Sequence, residues 1–419
     1  MSALAPAAVA ALLLAVIVPA PALGAAPPPS CQGRPATIVG TAEADEISGT
    51  SGDDVVVALG GDDTVRGRGG DDLICGGDGA DELRGGPGDD RLHGERDAFH
   101  NFRGTRYLVP DVLVGGAGDD LLDVGDDDRP VSFGSHGVID YARAARGVSA
   151  DLASGTVTGQ GLDTVVVAPA PDCGVGCYGV AVVGSAHDDV LLGSADGDLL
   201  IGLAGDDRIE GRDGGDELRG EDEAGLGPAD DDTMIGGGGD DILVANAGRD
   251  LLQGDVGDDT VWSTGGGPSQ VFGGEGDDRL AVQLARRPGF VLDGGAGRDR
   301  ALLAGPRSRP GGGGRPTAAL VTMADGQVVA NETAWGSVAG VEDLQLGENV
   351  RWEYHGTDQP ERLSSDGTWL RAFMYGGDDW VRGTSGPDRI DAGDGTDRVL
   401  AGRGRDHCVG AEVARSCEF

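Results

Sequence analysis

The chain has 419 residues and a formal net charge of −40, from 72 Asp and Glu against 32 basic side chains, every one an Arg. Glycine supplies 79 residues and aromatics only 4%. The acid surplus repels nucleic acid and anionic membranes, the lack of lysine excludes a P-loop or Schiff-base lysine, and the glycine excess excludes an average mixed domain, leaving a disordered acidic chain or a periodic fold that uses both Gly and Asp.

Residues 1–24 are apolar and rich in Ala, Leu and Val. Their core, Val9 to Val18, is too short to span a membrane. Small residues follow, with Ala22-Leu23-Gly24 ahead of Ala25 as a cleavage site, so the segment reads as a secretory signal peptide. It departs from the usual signal in having no Lys or Arg before the apolar core. Residues 25–39 then form a Pro-rich mature N-terminus. No other stretch is long and apolar enough to span, so a secreted, extracellular protein without a transmembrane anchor is expected. Six cysteines agree with export. Pairing each with its neighbour gives Cys31–Cys75, Cys173–Cys177 and Cys408–Cys417, one of fifteen possible pairings. Zinc at Cys173/Cys177 or at His407-Cys408 has too few ligands of known spacing.

A period of nine begins at Asp45 and continues through Asp54, Asp63, Asp72, Asp81 and Asp90. Two residues after each stands an apolar side chain: Ile47, Val56, Val65, Ile74, Leu83 and Leu92. Two residues before them stands Gly in all but the first: Gly52, Gly61, Gly70, Gly79 and Gly88. The phase returns at Asp189, Asp198, Asp207 and Asp216, at Asp232, Asp241, Asp250 and Asp259, and at Asp379, Asp388, Asp397 and Asp406. Single copies stand at Asp120, Asp278 and Asp299. Low complexity gives composition without phase, and nine fits neither a helix nor a heptad. It fits a six-residue glycine turn followed by a three-residue strand with one inward apolar side chain. Two units make one coil, and coils stack in parallel at about 4.8 Å.

The unit resembles the RTX (repeats-in-toxin, haemolysin-type) nonapeptide, Gly-Gly-x-Gly-x-Asp-x-apolar-x, over most of residues 40–93, 184–302 and 356–409. The resemblance implies an all-β, right-handed parallel β-roll or solenoid with irregular β inserts. It implies calcium between the turns, held by turn carbonyls and by Asp carboxylates of units eighteen residues apart. The implied pairs are Asp45–Asp63, Asp54–Asp72, Asp63–Asp81, Asp72–Asp90, Asp189–Asp207, Asp198–Asp216, Asp232–Asp250, Asp241–Asp259, Asp379–Asp397 and Asp388–Asp406, for about ten Ca²⁺. Glu361 stands one coil before Asp379 and extends the last array.

Physical chemistry points the same way. Stacked Asp side chains repel unless a cation lies between them. Calcium tolerates six to eight oxygens in irregular geometry, whereas Mg²⁺ demands a tight octahedron. About ten Ca²⁺ would offset about half of the −40. Without metal, repulsion and glycine entropy favour disorder. The alternatives are a metal-free solenoid and a disordered acidic array.

The chain thus divides into array I (40–93), an irregular insert (94–183) with one repeat at 115–123, array II (184–302), a non-repeat β insert (303–355), array III (356–409) and a disulfide-closed cap (410–419). Within the inserts, Val138 to Tyr141, Gly147 to Gly155, Ala319 to Thr322, Gln327 to Val329 and Val341 to Leu346 read as strands, and Pro306 to Pro316 as a loop. The stretch Ser365 to Phe373 keeps the count of nine but lacks the Asp.

The search for catalysis gives no catalytic residues. The repeats start within about twenty residues of the expected mature start, which leaves no room for a domain ahead of them. None of the six histidines opens His-Glu-x-x-His, and no serine sits in Gly-x-Ser-x-Gly. His187 reads as a turn residue, not a base. The aromatics Trp335, Trp352, Tyr354, Trp369, Phe373, Tyr375 and Trp380 serve cores and strand ends more often than sugar stacking. Asn331-Glu332-Thr333 is a glycosylation sequon. Cys408 to Phe419 does not resemble the uncleaved C-terminal signal of RTX exporters, so general secretion is expected in place of toxin activity and type I export. Two readings follow. One is a secreted, non-enzymatic calcium-binding β-roll whose partners are calcium ions and an unidentified cell-surface polysaccharide or protein. The other is a secreted carbohydrate-binding module or carbohydrate-active enzyme with its site on residues 94–183 or 303–373.

Overall fold

The computed structural model describes residues 27–102, 105–125, 134–135, 137–167, 177–221, 230–246, 248–264, 269–283, 289–304, 317–323, 327–330, 333–348 and 350–417. The signal-peptide stretch, Cys173, the Pro306–Pro316 loop and Asn331-Glu332 of the sequon lie outside the described residues.

Every named element among the described residues is a β-strand. Successive short strands alternate between two sheets, as a nine-residue unit requires. The second sheet runs from Glu46–Ser48 through Thr64–Arg66 and Glu82–Pro87 to Arg398–Leu400 and Val413–Arg415, and all its pairings are parallel. The first runs from Ile38–Val39 through Val55–Gly60, Leu73–Gly79 and Arg91–Phe102 to Arg389–Asp391 and His407–Val409. Register is set by the apolar residue of each unit: Val56 pairs Ile74, Ile74 pairs Leu92, and Val65 pairs Leu83. These side chains are fully buried and join one core cluster that includes both sheets. Burial of each contributes about 1.5–3 kcal/mol. The architecture is the all-β parallel roll that the period implies.

Two interruptions share one construction. Ser149–Asp151, Thr156–Thr158 and Leu162–Val166 form an antiparallel meander inside the first sheet. Its last strand stacks parallel on Leu121–Asp123 behind it, and its first strand stacks parallel on Val190–Leu192 ahead. Thr317–Thr322, Gln327–Ala330 and Thr333–Ala339 repeat the device between Phe290–Ala296 and Val350–His355. The second sheet passes both places without a break, pairing Ile139 with Val182 and Ala301 with Leu344. Each meander therefore adds rungs to one sheet only. Trp352 and Tyr354, next to the second meander, are core residues, and the Trp352 indole N–H donates to Gly347 O at 3.0 Å.

The ends are closed covalently. The Ser30–Cys31 and Arg34–Pro35 hairpin is tied by the Cys31–Cys75 disulfide, over Val55, Val57 and Leu73 on the outer side of the first sheet. Cys408–Cys417 closes the last coil. Among the described residues no helix is long and apolar enough to cross a membrane.

Candidate metal centre: stacked carboxylate turns

The turns between the sheets stack as the strands do, and most end on a buried carboxylate. Apart from half-buried Asp45, every repeat Asp predicted from the sequence is buried. All ten predicted pairs meet, in a specific way. The later Asp accepts, through Oδ1, the backbone N–H of the earlier one: Asp45 N–H to Asp63 at 2.7 Å, Asp54 to Asp72 at 2.8 Å, Asp63 to Asp81 at 2.8 Å and Asp72 to Asp90 at 2.8 Å. The same bond joins Asp189 to Asp207, Asp198 to Asp216, Asp241 to Asp259, Asp379 to Asp397 and Asp388 to Asp406 at 2.7–2.9 Å, and Asp232 to Asp250 at 3.4 Å. In most of these carboxylates one oxygen thus builds the fold and the other is left to act.

The ladder continues where the period slips. Asp81 donates to Asp111 and Asp90 to Asp120, both 30 residues on, and Asp259 to Asp278 and Asp278 to Asp299 at 19 and 21. Asp163 serves Asp120, Glu342 serves Asp299, and Glu412 serves Asp397. The rung without its Asp is served too, since Leu370 N–H donates to Asp388. Asp111, Asp163, Glu342 and Glu412 are not among the site residues expected from the sequence, although the unit is there: Asp111 stands nine before Asp120 with Leu113 two after it, and Gly161, Gly340 and Gly410 stand two before Asp163, Glu342 and Glu412, the last two with Glu in place of Asp. A second ladder had a visible signal in the Asp-Asp doublets. The exposed first Asp of a doublet accepts from the coil ahead, as Asp53 does from Asp71 N–H at 2.9 Å and Asp240 from Asp258 N–H at 3.0 Å.

Among the described residues, eighteen buried carboxylates keep one oxygen with no hydrogen-bond partner. For sixteen it is Oδ2 of an Asp: 63, 72, 81, 90, 111, 120, 207, 216, 232, 241, 259, 278, 299, 379, 397 and 406. An orphaned buried carboxylate oxygen is costly, and many in a row mark a missing partner of positive charge. In most of these turns a glycine five residues before the Asp makes the space; Ala58, Met374, Ala392 and Ala401 take that place before Asp63, Asp379, Asp397 and Asp406. A Cβ on Gly76 would strike Asp81 Oδ2 and lie 3.1 Å from Gly94 O of the next coil. Carboxylate and carbonyl oxygens thus converge at one point, an all-oxygen donor set suited to a hard cation. Among the described residues no three His, Cys, Asp or Glu side chains form a metal cage, so backbone oxygens have to complete any site.

The sequence-predicted glycines stand two residues before the Asp and play unequal parts. Gly61, Gly70 and Gly88 have positive φ, the region where L side chains are disfavoured. A Cβ on Gly79 would strike Gly61 O, while Gly52 has open space around it.

Burial pushes these carboxyls upward. Asp111, Asp207, Asp216 and Asp259 rise to about 8, and Asp81, Asp120, Asp232, Asp241 and Asp379 to about 7. Desolvation is the largest cause in each, neighbouring carboxylates add to it, and the ladder N–H opposes it.

Not every turn is left open. Tyr141 Oη–H donates to Asp163 Oδ2 at 2.8 Å, and Ser269 Oγ–H to Asp250 Oδ2 at 3.0 Å. The Thr41 and Thr50 amides donate to Oδ2 of Asp45 and Asp54 at 2.6 and 2.7 Å, and the Ser194 and Thr384 amides to Asp198 and Asp388 at 2.6 Å. His187 is exposed within the Ser185 turn and approaches no such site.

The family model of the RTX calcium-binding nonapeptide repeat (4 copies) matches residues 39–74, 76–98, 110–128, 183–218, 229–261, 263–281 and 375–408. No curated protein matches the chain.

Proposed function

As a member of the RTX calcium-binding nonapeptide-repeat family this chain binds calcium, and we propose that it is a secreted, non-enzymatic protein that folds outside the cell into a calcium-held β-roll. The carrying observation is the run of buried carboxylate oxygens without a partner. Asp63, Asp72, Asp81, Asp90, Asp111, Asp120, Asp207, Asp216, Asp232, Asp241, Asp259, Asp278, Asp299, Asp379, Asp397 and Asp406 would hold the ions, together with carbonyls of the stacked turns. Bound calcium supplies positive charge and takes six to eight oxygen ligands. The protein's own part is to fix one carboxylate oxygen by the ladder N–H, aim the other at the turn and, in the repeats with a glycine five before the Asp, keep a Cβ out of the space between.

Export is supported by the apolar N-terminal stretch and by the disulfides Cys31–Cys75 and Cys408–Cys417. All-oxygen calcium sites of other extracellular modules are tuned to about 10⁻⁴–10⁻³ M, roughly the level of extracellular calcium, and sites of that strength here would fill only after export. The absence of zincin and nucleophile-elbow motifs supports a non-enzymatic role. The test is a calcium titration of the chelated, oxidised mature chain, followed by far-UV circular dichroism with Mg²⁺ as control. At pH 8 a cooperative gain of β signal with Ca²⁺ alone is expected, and a fully folded spectrum in chelator at that pH refutes the reading.

One observation favours a carbohydrate-binding role beside it. An open groove of about 590 Å³ lies on the outer face of the second sheet. Trp262, 45% exposed, shares its register row with Ala281, Leu302 and Gln345, and Arg279 and Arg300 flank the row. An exposed indole among polar and guanidinium groups suits a sugar face. Retention on a polysaccharide matrix that Trp262→Ala abolishes would support it, and equal retention would remove it.

A further inference from the structure

The residue four before the ladder carboxylate divides most of the turns into two kinds. In fifteen turns among the described residues it has positive φ, and in fourteen of them Oδ2 of the Asp has no partner; the exception is Asp163, after Gly159, whose Oδ2 accepts from the Tyr141 hydroxyl. Six of these positions are not glycine: Leu59, Arg68, Leu203, Arg212, Asp255 and Tyr375. Holding an L residue there costs about 1–2 kcal/mol. The conformation turns its N–H away from the carboxylate. The Arg68 amide donates to Gly85 O at 2.9 Å, and the Leu203 amide to Gly220 O at 2.8 Å, both in the next coil.

Where the residue is Ser or Thr, φ is not positive and the N–H turns inward. Thr41, Thr50, Ser185, Ser194 and Thr384 all donate that amide to Oδ2 of their own Asp. The hydroxyl adds a second bond to the carboxylate at Asp45 (2.8 Å), Asp189 (2.9 Å), Asp198 (3.0 Å) and Asp388 (2.8 Å). It also accepts the amide two residues on, from Glu43, Gly52, His187, Asp196 or Gly386. Thr357 donates to Glu361 Oε1 in the same way, but Glu361 Oε2 keeps no partner, so this turn is only half closed.

The closed turns have a place in the arrays. Thr41 and Thr50 open array I, and Ser185 and Ser194 open array II. One coil later the same columns carry Leu59, Arg68, Leu203 and Arg212, all with positive φ. The column then passes to glycine, Leu59 pairing Gly77 and Arg212 pairing Gly237.

We propose that the Ser and Thr turns are calcium-free, the amide and hydroxyl standing where the cation stands elsewhere, and that they let the first coil of arrays I and II form without metal. This rests on the calcium reading of the open turns. The first coil then offers its edge as a template, and each later coil is completed as its turn fills. Sequence alone shows the rule once it is known: Gly-Ser/Thr-x-x-x-Asp for a closed turn, against Gly, or a residue other than Ser or Thr such as Leu59 or Arg68, at the second place of an open one.

The test counts calcium bound to the full oxidised chain by equilibrium dialysis and metal analysis, for the native protein, Leu59→Thr and Thr50→Gly. Leu59 already carries a side chain at 41% exposure, so Leu59→Thr tests the switch without adding a Cβ. The expected result is one ion fewer for Leu59→Thr and one more for Thr50→Gly. If Thr50→Gly fails to fold, Leu59→Thr carries the test alone. Hydrogen exchange of the chelated native chain is the second readout, with residues 38–58 and 181–202 expected to be the best protected of their arrays. A native chain that binds calcium while Leu59→Thr keeps the same count overturns the inference and leaves the calcium reading standing. A native chain that binds none overturns both.

Discussion

Protons should replace calcium, and the structure says how strongly. Consider the chelated chain at pH 7. Asp111 and Asp216 are fully buried and their carboxyls rise to about 8, by desolvation first and then by Asp81 and Glu95, or by Asp241 and Asp198. In the unfolded chain an Asp titrates near 3.9. A carboxyl whose folded value is raised leaves stability intact below the unfolded value, where both states hold the proton. That stability is lost as pH rises toward the folded value. Between about 3.9 and 7 the loss is about 4 kcal/mol per group, or about 8 kcal/mol for these two. A domain's whole stability is about 5–15 kcal/mol, and Asp207 and Asp259 are pushed in the same direction. The metal-free roll should therefore fail at pH 8 and recover on acidification, across the window from about 8 down to about 4. The assay is far-UV circular dichroism in chelator over that range, at low protein concentration because the isoelectric point is near 4.2. Calcium at pH 8 should give the spectrum that acid gives without it. A chelated chain that stays unfolded down to pH 4, or stays folded at pH 8, would refute the argument that buried charge is what the metal offsets.

Three further outcomes follow from the packing. Gly76→Ala should cost a calcium ion and lower the melting temperature, because its Cβ would strike the Asp81 carboxylate, whereas Gly52→Ala should change neither, since nothing lies within 4 Å; equal effects would show that the glycine before the orphaned oxygen has no special role. Leu83→Ala removes a fully buried side chain stacked between Val65 and Leu113, and should destabilise the calcium-loaded protein by about 2–5 kcal/mol in denaturant. Reducing Cys31–Cys75, which closes a 44-residue separation, should cost the first coils about 4 kcal/mol in the chain-entropy account. Proteolysis should then begin in array I and leave array III intact.

The phase of the repeat carried most of the fold, because a side chain that must reach the core once every nine residues leaves no freedom in register. Val56, Ile74 and Leu92 stack as the count requires. The meanders were not legible as such. Val157 and Val329 alternate like any strand residue, and nothing local says that their strands run antiparallel to their neighbours. That direction is set by which open sheet edge the returning chain meets. The ladder residues Asp111, Asp163, Glu342 and Glu412 carry parts of the unit, but the inserts shift the spacing between units, two of the four are Glu, and Asp111 lacks the glycine, so the stack brings them into the ladder where a count of nine does not. Within the repeat, the Asp was easy to find and its two oxygens were not. One is consumed by the N–H of the coil behind, and only the other is available to a ligand. Whether it stays available depends on a residue four positions earlier, where Thr50 and Arg68 fill the same column in successive coils and do opposite things. Composition treats both as ordinary turn residues. The difference is the direction of one backbone amide, and an acidic repeat can therefore keep its period while alternating between turns that require a cation and turns that replace it.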